Sequence, residues 1–226
     1  MPRRSSPTGR TGRPPVTSRA EILAAARRII DRDGWEKLTI RRLAADMGIG
    51  ATTLYHHVRD REALLLLLID EYASQLARPE LPESPRDRMI VAAVAMRDAL
   101  AAWPWAAEVL AADGFVGMLG AAAVWPVETI VAGAVDAGCS TDRAVELLRD
   151  IWYYTVGEIL VRARSARRRA DAGLPPRPGG FFGNLDADAA PALTAVGDRW
   201  PEIAARDTYP AGVAALIDGR LAAADS

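Results

Sequence analysis

The chain is poor in the groups that most chemistry needs. Among its 226 residues there is one cysteine, Cys139, and two histidines, His56 and His57. A single cysteine excludes an intrachain disulfide and gives no sign of an oxidising compartment. Adjacent histidines on a helix point about 100° apart and do not share a metal ion. No nucleophile with an orienting carboxylate stands beside them. The expectation is therefore no enzyme, no metal and no cofactor. Long apolar runs are missing too: "ALLLLLI" at residues 63–69 falls far short of the ~20 that cross a bilayer. The arginine-rich start has no apolar stretch like that of a secretory signal. A cytoplasmic protein without a membrane partner is expected.

Net charge is small, at −1, but unevenly placed. Residues 1–63 carry 13 Lys and Arg against 7 Asp and Glu, while residues 64–226 carry 15 against 22. A basic piece joined to an acidic one suits a first part that meets a polyanion, although a solvated basic face is also common. Residues 1–17, with Arg3, Arg4, Arg10 and Arg13, have almost nothing to bury and read as a flexible basic arm.

From Ser18 onward the periodicity is helical, with no alternating strand pattern. Ser18 and Glu21 have capping-box spacing, and Ile22, Ala25, Ala26, Ile29 and Ile30 form one inward face ending near Gly34. Thr39 caps a second helix with Ile40, Leu43, Ala44 and Met47 inward, closed by Gly48. "GIG" leads directly to "ATTLYHHV", where Leu54 and Val58 are the inward pair. Short helix, glycine-bearing turn and short helix make a helix-turn-helix arrangement. Asp60 caps a fourth helix over residues 61–76, which connects residues 18–63, a DNA-binding domain, to residues 64–226. Further helices are expected over 86–102, 105–111, 116–137 (kinked or split at Pro126), 141–170, 189–196 and 210–224, with a loop over 172–188. The fold class is all-α: a three-helix helix-turn-helix domain followed by a larger helical domain.

With Leu54 and Val58 inward, Thr52, Thr53, Tyr55, His56 and His57 occupy the other faces of their helix. Hydroxyls and imidazoles bond both phosphates and base edges, the two kinds of contact a recognition surface needs. Arg61 and the free N–H groups at the start of the fourth helix suit a phosphate. Thr39 and Arg41 suit the backbone across the groove.

"LTIRRLAADMGIGATTLYHHVRDREALL" resembles the signature of the TetR family of bacterial transcriptional regulators. "AWPWAAEVL", "VDAGCSTDRAVELLRDIWYYTVGEIL" and "YPAGVAALIDGRL" resemble the C-terminal domain of the tetracycline-repressor subgroup. The resemblance implies a homodimer with two helix-turn-helix heads on a double-stranded DNA operator and a ligand-binding helical body. Positions matching Thr39, Arg41, Ala51, Thr52, Thr53, Tyr55, His56, His57 and Arg61 then line the DNA. Gly50 and Ala51 stand where the family often carries longer polar readers, so base readout leans on Thr52, Thr53, His56 and His57. Tetracycline repressors hold a drug–magnesium chelate through a histidine in the body, and this body has none.

Trp103, Trp105, Trp125, Trp152, Tyr153 and Tyr154 concentrate the scarce aromatics in the acidic part, as core or as the walls of a ligand pocket. The candidate ligand set is Trp103, Trp105, Met118, Trp125, Thr129, Trp152, Tyr153, Thr155 and Glu158, with Met96, Arg97 and Leu100 behind them. Glu158 sits in an apolar stretch and needs a partner, either an arginine or a ligand cation. The helix from Ser140 and the last helix match the family's dimer-forming bundle. The expected function is a ligand-responsive regulator, a repressor released from a pseudo-palindromic operator by a small apolar or aromatic effector. The alternatives are a DNA-binding regulator with no small-molecule ligand and a helical small-molecule-binding protein.

Overall fold

The structure, a computed structural model, describes residues 17–111, 115–173 and 186–223. The basic arm, save Thr17, and most of the loop expected over 172–188 lie outside these residues. Among the described residues all regular structure is helical. The chain divides into two compact units, through Leu68 and from Ile69, so the division falls inside the fourth helix, five residues beyond the expected boundary.

In the first unit α1 spans Arg19–Asp33 and opens with the capping box: Ser18 Oγ accepts from Glu21 N at 3.2 Å, and Glu21 accepts from Ser18 N at 2.8 Å. A 3₁₀ turn, Trp35–Lys37, leads to α2, Ile40–Asp46, capped by Thr39. Gly48, at φ +66°, ends α2: Gly48 N donates to Ala45 O and Ile49 N to Ala44 O, the paired bonds of a Schellman close. A side chain with Cβ is disfavoured at that φ, which is why glycine stands there. α3, Ala51–Tyr55, is shorter than expected; His56 is its C-cap and His57 lies in the following turn. α4, Arg61–Gln75, starts at Asp60, whose Oδ1 accepts from Ala63 N at 2.7 Å. Ile22, Ile29, Leu38, Leu43, Leu54, Leu64 and Leu65 are buried together with Val58. A fully buried leucine contributes about 1.5–3 kcal/mol, so Leu54 and Val58 fix the rotation of the short α3.

The second unit contains the end of α4, then α5 (Pro85–Ala102), α6 (Pro104–Leu110), a 3₁₀ turn (Phe115–Met118), α7 (Ala121–Asp136) and α8 (Thr141–Asp171). α9 (Pro191–Val196), a 3₁₀ turn, α10 (Trp200–Ala204) and α11 (Tyr209–Ala222) complete it. α5 packs on α7, α8 and α11 through Met89, Ala92, Ala93 and Met96. The expected helix over 116–137 breaks at Leu119–Gly120 and not at Pro126, which sits within α7. α10 has no counterpart in the expected set. A fully buried polar knot joins α5, α8 and α11: Thr155 Oγ1 donates to Ile151 O at 2.7 Å and meets the Tyr209 hydroxyl at 2.6 Å, and that hydroxyl reaches Ala93 O of α5 at 3.4 Å. Tyr154 stacks on Tyr209 with centroids 5.1 Å apart.

Candidate nucleic-acid interface and ligand cavity

On the first unit, Thr52, Thr53, Tyr55, His56 and His57 are all exposed, while Leu54 and Val58 between them are buried. Ala51 is half-buried beside them, and Arg41 is exposed on α2. The Thr39 oxygen accepts from Arg42 N at 3.1 Å. A hydroxyl that caps by accepting keeps its proton to donate outward, so cap and phosphate donor are compatible roles. Arg42 is engaged with Asp33 at 2.5 Å.

Arg61 and the start of α4 depart from the expectation. The Arg61 guanidinium is half-buried and donates from Nε to Leu38 O at 2.7 Å and from Nη2 to Trp35 O at 3.0 Å. It also lies 4.9 Å from the centroid of the Trp35 ring. It is a strut holding the α1–α2 connection to α4. The first turn of α4 is already served by the Asp60 carboxylate, which backbone N–H groups at Ala63 and the Arg59 side chain hold below its ordinary pKa. A carboxylate placed there repels a phosphate.

In the second unit the ends of α4, α5, α6, α7 and α8 enclose a cavity of about 1110 Å³. Tyr72 stacks on Trp103 with centroids 4.1 Å apart and meets Trp105 edge-on. Tyr72, Trp103, Trp125 and Trp152 all line the cavity, and Arg78 lies over the Trp125 ring at 5.7 Å. Aliphatic walls come from Ile90, Val91 and Val94 of α5, Val127 and Val131 of α7, and Val145 and Leu148 of α8. The Asp70 carboxylate, on α4, accepts from Ala123 N at 3.3 Å. A Cβ at position 120 would overlap that carboxylate, so glycine there lets the start of α7 close on α4.

Of the candidate ligand residues, Trp103, Trp125 and Trp152 line this cavity, as do Met96 and Leu100. The other six do not. Trp105 packs outside it against Tyr72. Met118 is 49% exposed in the 3₁₀ turn. The Thr129 hydroxyl bonds to Trp125 O of its own helix at 2.9 Å. Tyr153 is 65% exposed, because one residue along α8 from Trp152 turns it away by about 100°. Thr155 is committed to the Tyr209 knot. Glu158 has the arginine partner it needs in Arg162, at 2.6 Å, and Arg97 pairs with Asp98 and Asp207. The aliphatic α5 residues escape a reading guided by aromatics. Their signal was an α5 apolar on a second face, with Ile90, Val91 and Val94 beside the Met89, Ala93 and Met96 core.

Residues 22–68 match the model for bacterial regulatory proteins of the tetR family. The HTH-type transcriptional repressor AcnR of Corynebacterium efficiens is 43% identical over 67 residues, which cover 30% of this chain and 36% of that protein. Tetracycline repressor protein class A from transposon 1721 of Escherichia coli is 28% identical over 201 residues, 88% of each chain. Among solved structures, the TetR family protein ActR of Streptomyces coelicolor, in complex with (S)-DNPA, shares the fold with a TM-score of 0.70 at 24% identity, over 92% of this chain and 98% of that one. A family match across α1 to α4 joins an alignment to a tetracycline repressor over nearly the whole length, on a common helical fold. Residues 22–68 are thus a domain of the tetR family of bacterial regulatory proteins, and the chain as a whole is similar to a tetracycline repressor.

Proposed function

We propose that the protein is a ligand-responsive DNA-binding transcriptional regulator, a cytoplasmic repressor that acts as a homodimer. Thr52, Thr53, Tyr55, His56 and His57 read base edges and phosphates in the major groove, with Thr39 and Arg41 gripping the backbone beside them. Trp103, Trp125 and Trp152 help form the effector site. The observation that carries the reading is α3 itself: its buried residues are Leu54 and, just beyond, Val58, and every hydrogen-bonding side chain from 52 to 57 faces outward. Relatives named as transcriptional repressors support the sign of regulation. A likeness to ActR, solved with a small molecule, supports a ligand in the body.

The dimer face is read from α8, where Tyr153 and Val161 are 65% and 66% exposed with Gly157 between them. These positions fall at i, i+4 and i+8, one stripe of a helix, and large apolar groups on such a stripe call for a covering partner. A dimer that reads a pseudo-palindrome needs its two recognition helices about 34 Å apart. An effector can release the DNA only through its difference in affinity for bound and released states. The test is fluorescence anisotropy with the DNA upstream of the protein's own gene. Affinity should fall steeply with salt, and His57→Ala together with Thr53→Ala should weaken specific binding at least tenfold. Unchanged affinity in that double variant would overturn the assignment.

A further inference from the structure

We infer that the cavity of the second unit takes a flat aromatic acid, with its ring system against the tryptophans and its anionic group on Arg149. The inference rests on the reading of this cavity as an effector site.

The volume, about 1110 Å³, lies just above the range for sites that bury a drug-sized ligand, roughly 300–1,000 Å³. Its floor is the Tyr72–Trp103 stack, with Trp125 and Trp152 added. Rings of this kind favour a planar partner over a flexible chain of equal area, because aromatic pairs gain beyond burial and lose little conformational freedom.

Charge selects within that class. Among the described residues, three charged side chains line the cavity: Arg78, Asp98 and Arg149. Asp98 is already compensated by Arg97, at 3.0 Å. Arg78 lies over the Trp125 face. Arg149 has no hydrogen bond, ion pair or ring contact among the described residues. It stands on the α8 stripe of Val145, Leu148, Arg149 and Trp152, the stripe that faces the cavity. The lining therefore presents two guanidiniums without a carboxylate of their own and one carboxylate that is spoken for. A carboxylate on the ligand gains a charge-assisted, bidentate partner in Arg149. A cationic ligand meets only Asp98, in competition with Arg97.

The experiment uses three probes with one flat body and different charge: pyrene carboxylate, pyrene methanol and pyrene methylammonium. Binding to the full-length protein is read by quenching of tryptophan emission and by thermal shift. The carboxylate should bind about tenfold tighter than the alcohol, a discounted value for a partly solvent-exposed charged hydrogen bond, and the ammonium weakest. Arg149→Gln should erase the preference while leaving affinity for the alcohol unchanged, and Arg149→Lys should retain part of it. Equal binding of all three, or tightest binding of the ammonium, overturns the charge assignment and leaves the effector site standing. A carboxylate preference that survives Arg149→Gln also overturns it. If no probe binds, both this inference and the effector-site reading fall.

Discussion

Replacing Arg61 with methionine separates two roles that look alike in sequence. The side chain donates two hydrogen bonds to main-chain carbonyls, at 2.7 Å and 3.0 Å, and lies against Trp35. A hydrogen bond to a charged group contributes about 1.5–3 kcal/mol and an exposed cation–π contact about 0.5–1. The low ends for two bonds and the ring contact come to about 3.5 kcal/mol. Solvent access at this half-buried site and the apolar stem kept by methionine reduce the expected loss to about 2 kcal/mol, or roughly thirtyfold in an equilibrium. Native-state hydrogen exchange on peptides from α1 and α2 should therefore show protection falling about thirtyfold. Where the variant remains folded, the salt slope of operator binding should not change. Each lost phosphate contact lowers that slope by about 0.9, and Arg41→Met, from an exposed arginine, should do so while leaving protection intact. Unaltered protection in Arg61→Met together with a slope reduced by about 0.9 would refute the strut and make Arg61 a phosphate ligand.

The buried knot of the second unit lends itself to a double-mutant cycle. Thr155→Val leaves the Tyr209 hydroxyl with only the distant Ala93 carbonyl, at 3.4 Å, and should cost about 1–3 kcal/mol in urea unfolding. Tyr209→Phe should cost about 1 kcal/mol, and the double variant less than the sum, since neither unmatched group remains; strict additivity would rule out the coupling. Burial raises the Tyr209 hydroxyl to about 12, so its stabilising effect is full below pH 10, the value in an unfolded chain, and is lost as pH rises through about 12. Tyr209→Phe should flatten that alkaline slope. On α8, Tyr153→Arg should shift the sedimentation of the protein toward monomer; an intact dimer would place the interface elsewhere.

Helix starts were legible because capping is local chemistry. Ser18, Thr39, Asp60 and Ser140 each accept from a backbone N–H three residues on. Endings and interruptions were less so. α3 stops at Tyr55 without a glycine or proline to announce it. Pro126 looked like a break, but one turn into α7 it removes only the bond to Ala122 O, and the helix runs on to Asp136. The actual break at Gly120 answers to Asp70, a residue fifty positions earlier that no local pattern connects to it. The recognition face was legible in the alternation of Leu54 and Val58 with polar residues. The ligand cavity was not, because one helical step decides whether a ring on α8 is wall, as Trp152, or surface, as Tyr153. Nor does an outward arginine announce in sequence whether it will meet DNA or, like Arg61, turn back to the chain's own carbonyls.

Pro126 lines the cavity and has no N–H to give. Ala122, one turn earlier on the same face of α7 and also part of the wall, therefore has a carbonyl that receives no bond from four residues on. In a wall of hydrocarbon and aromatic rings apart from Arg78, Asp98 and Arg149, a ligand carrying a hydroxyl or an N–H at the matching place would give that oxygen a partner. The oxygen penalises one of identical outline that leaves it dry. Discrimination between such twins would then reside in the main chain. Changing the neighbouring side chains would alter how much fits, whereas only a change at Pro126 itself would silence the oxygen.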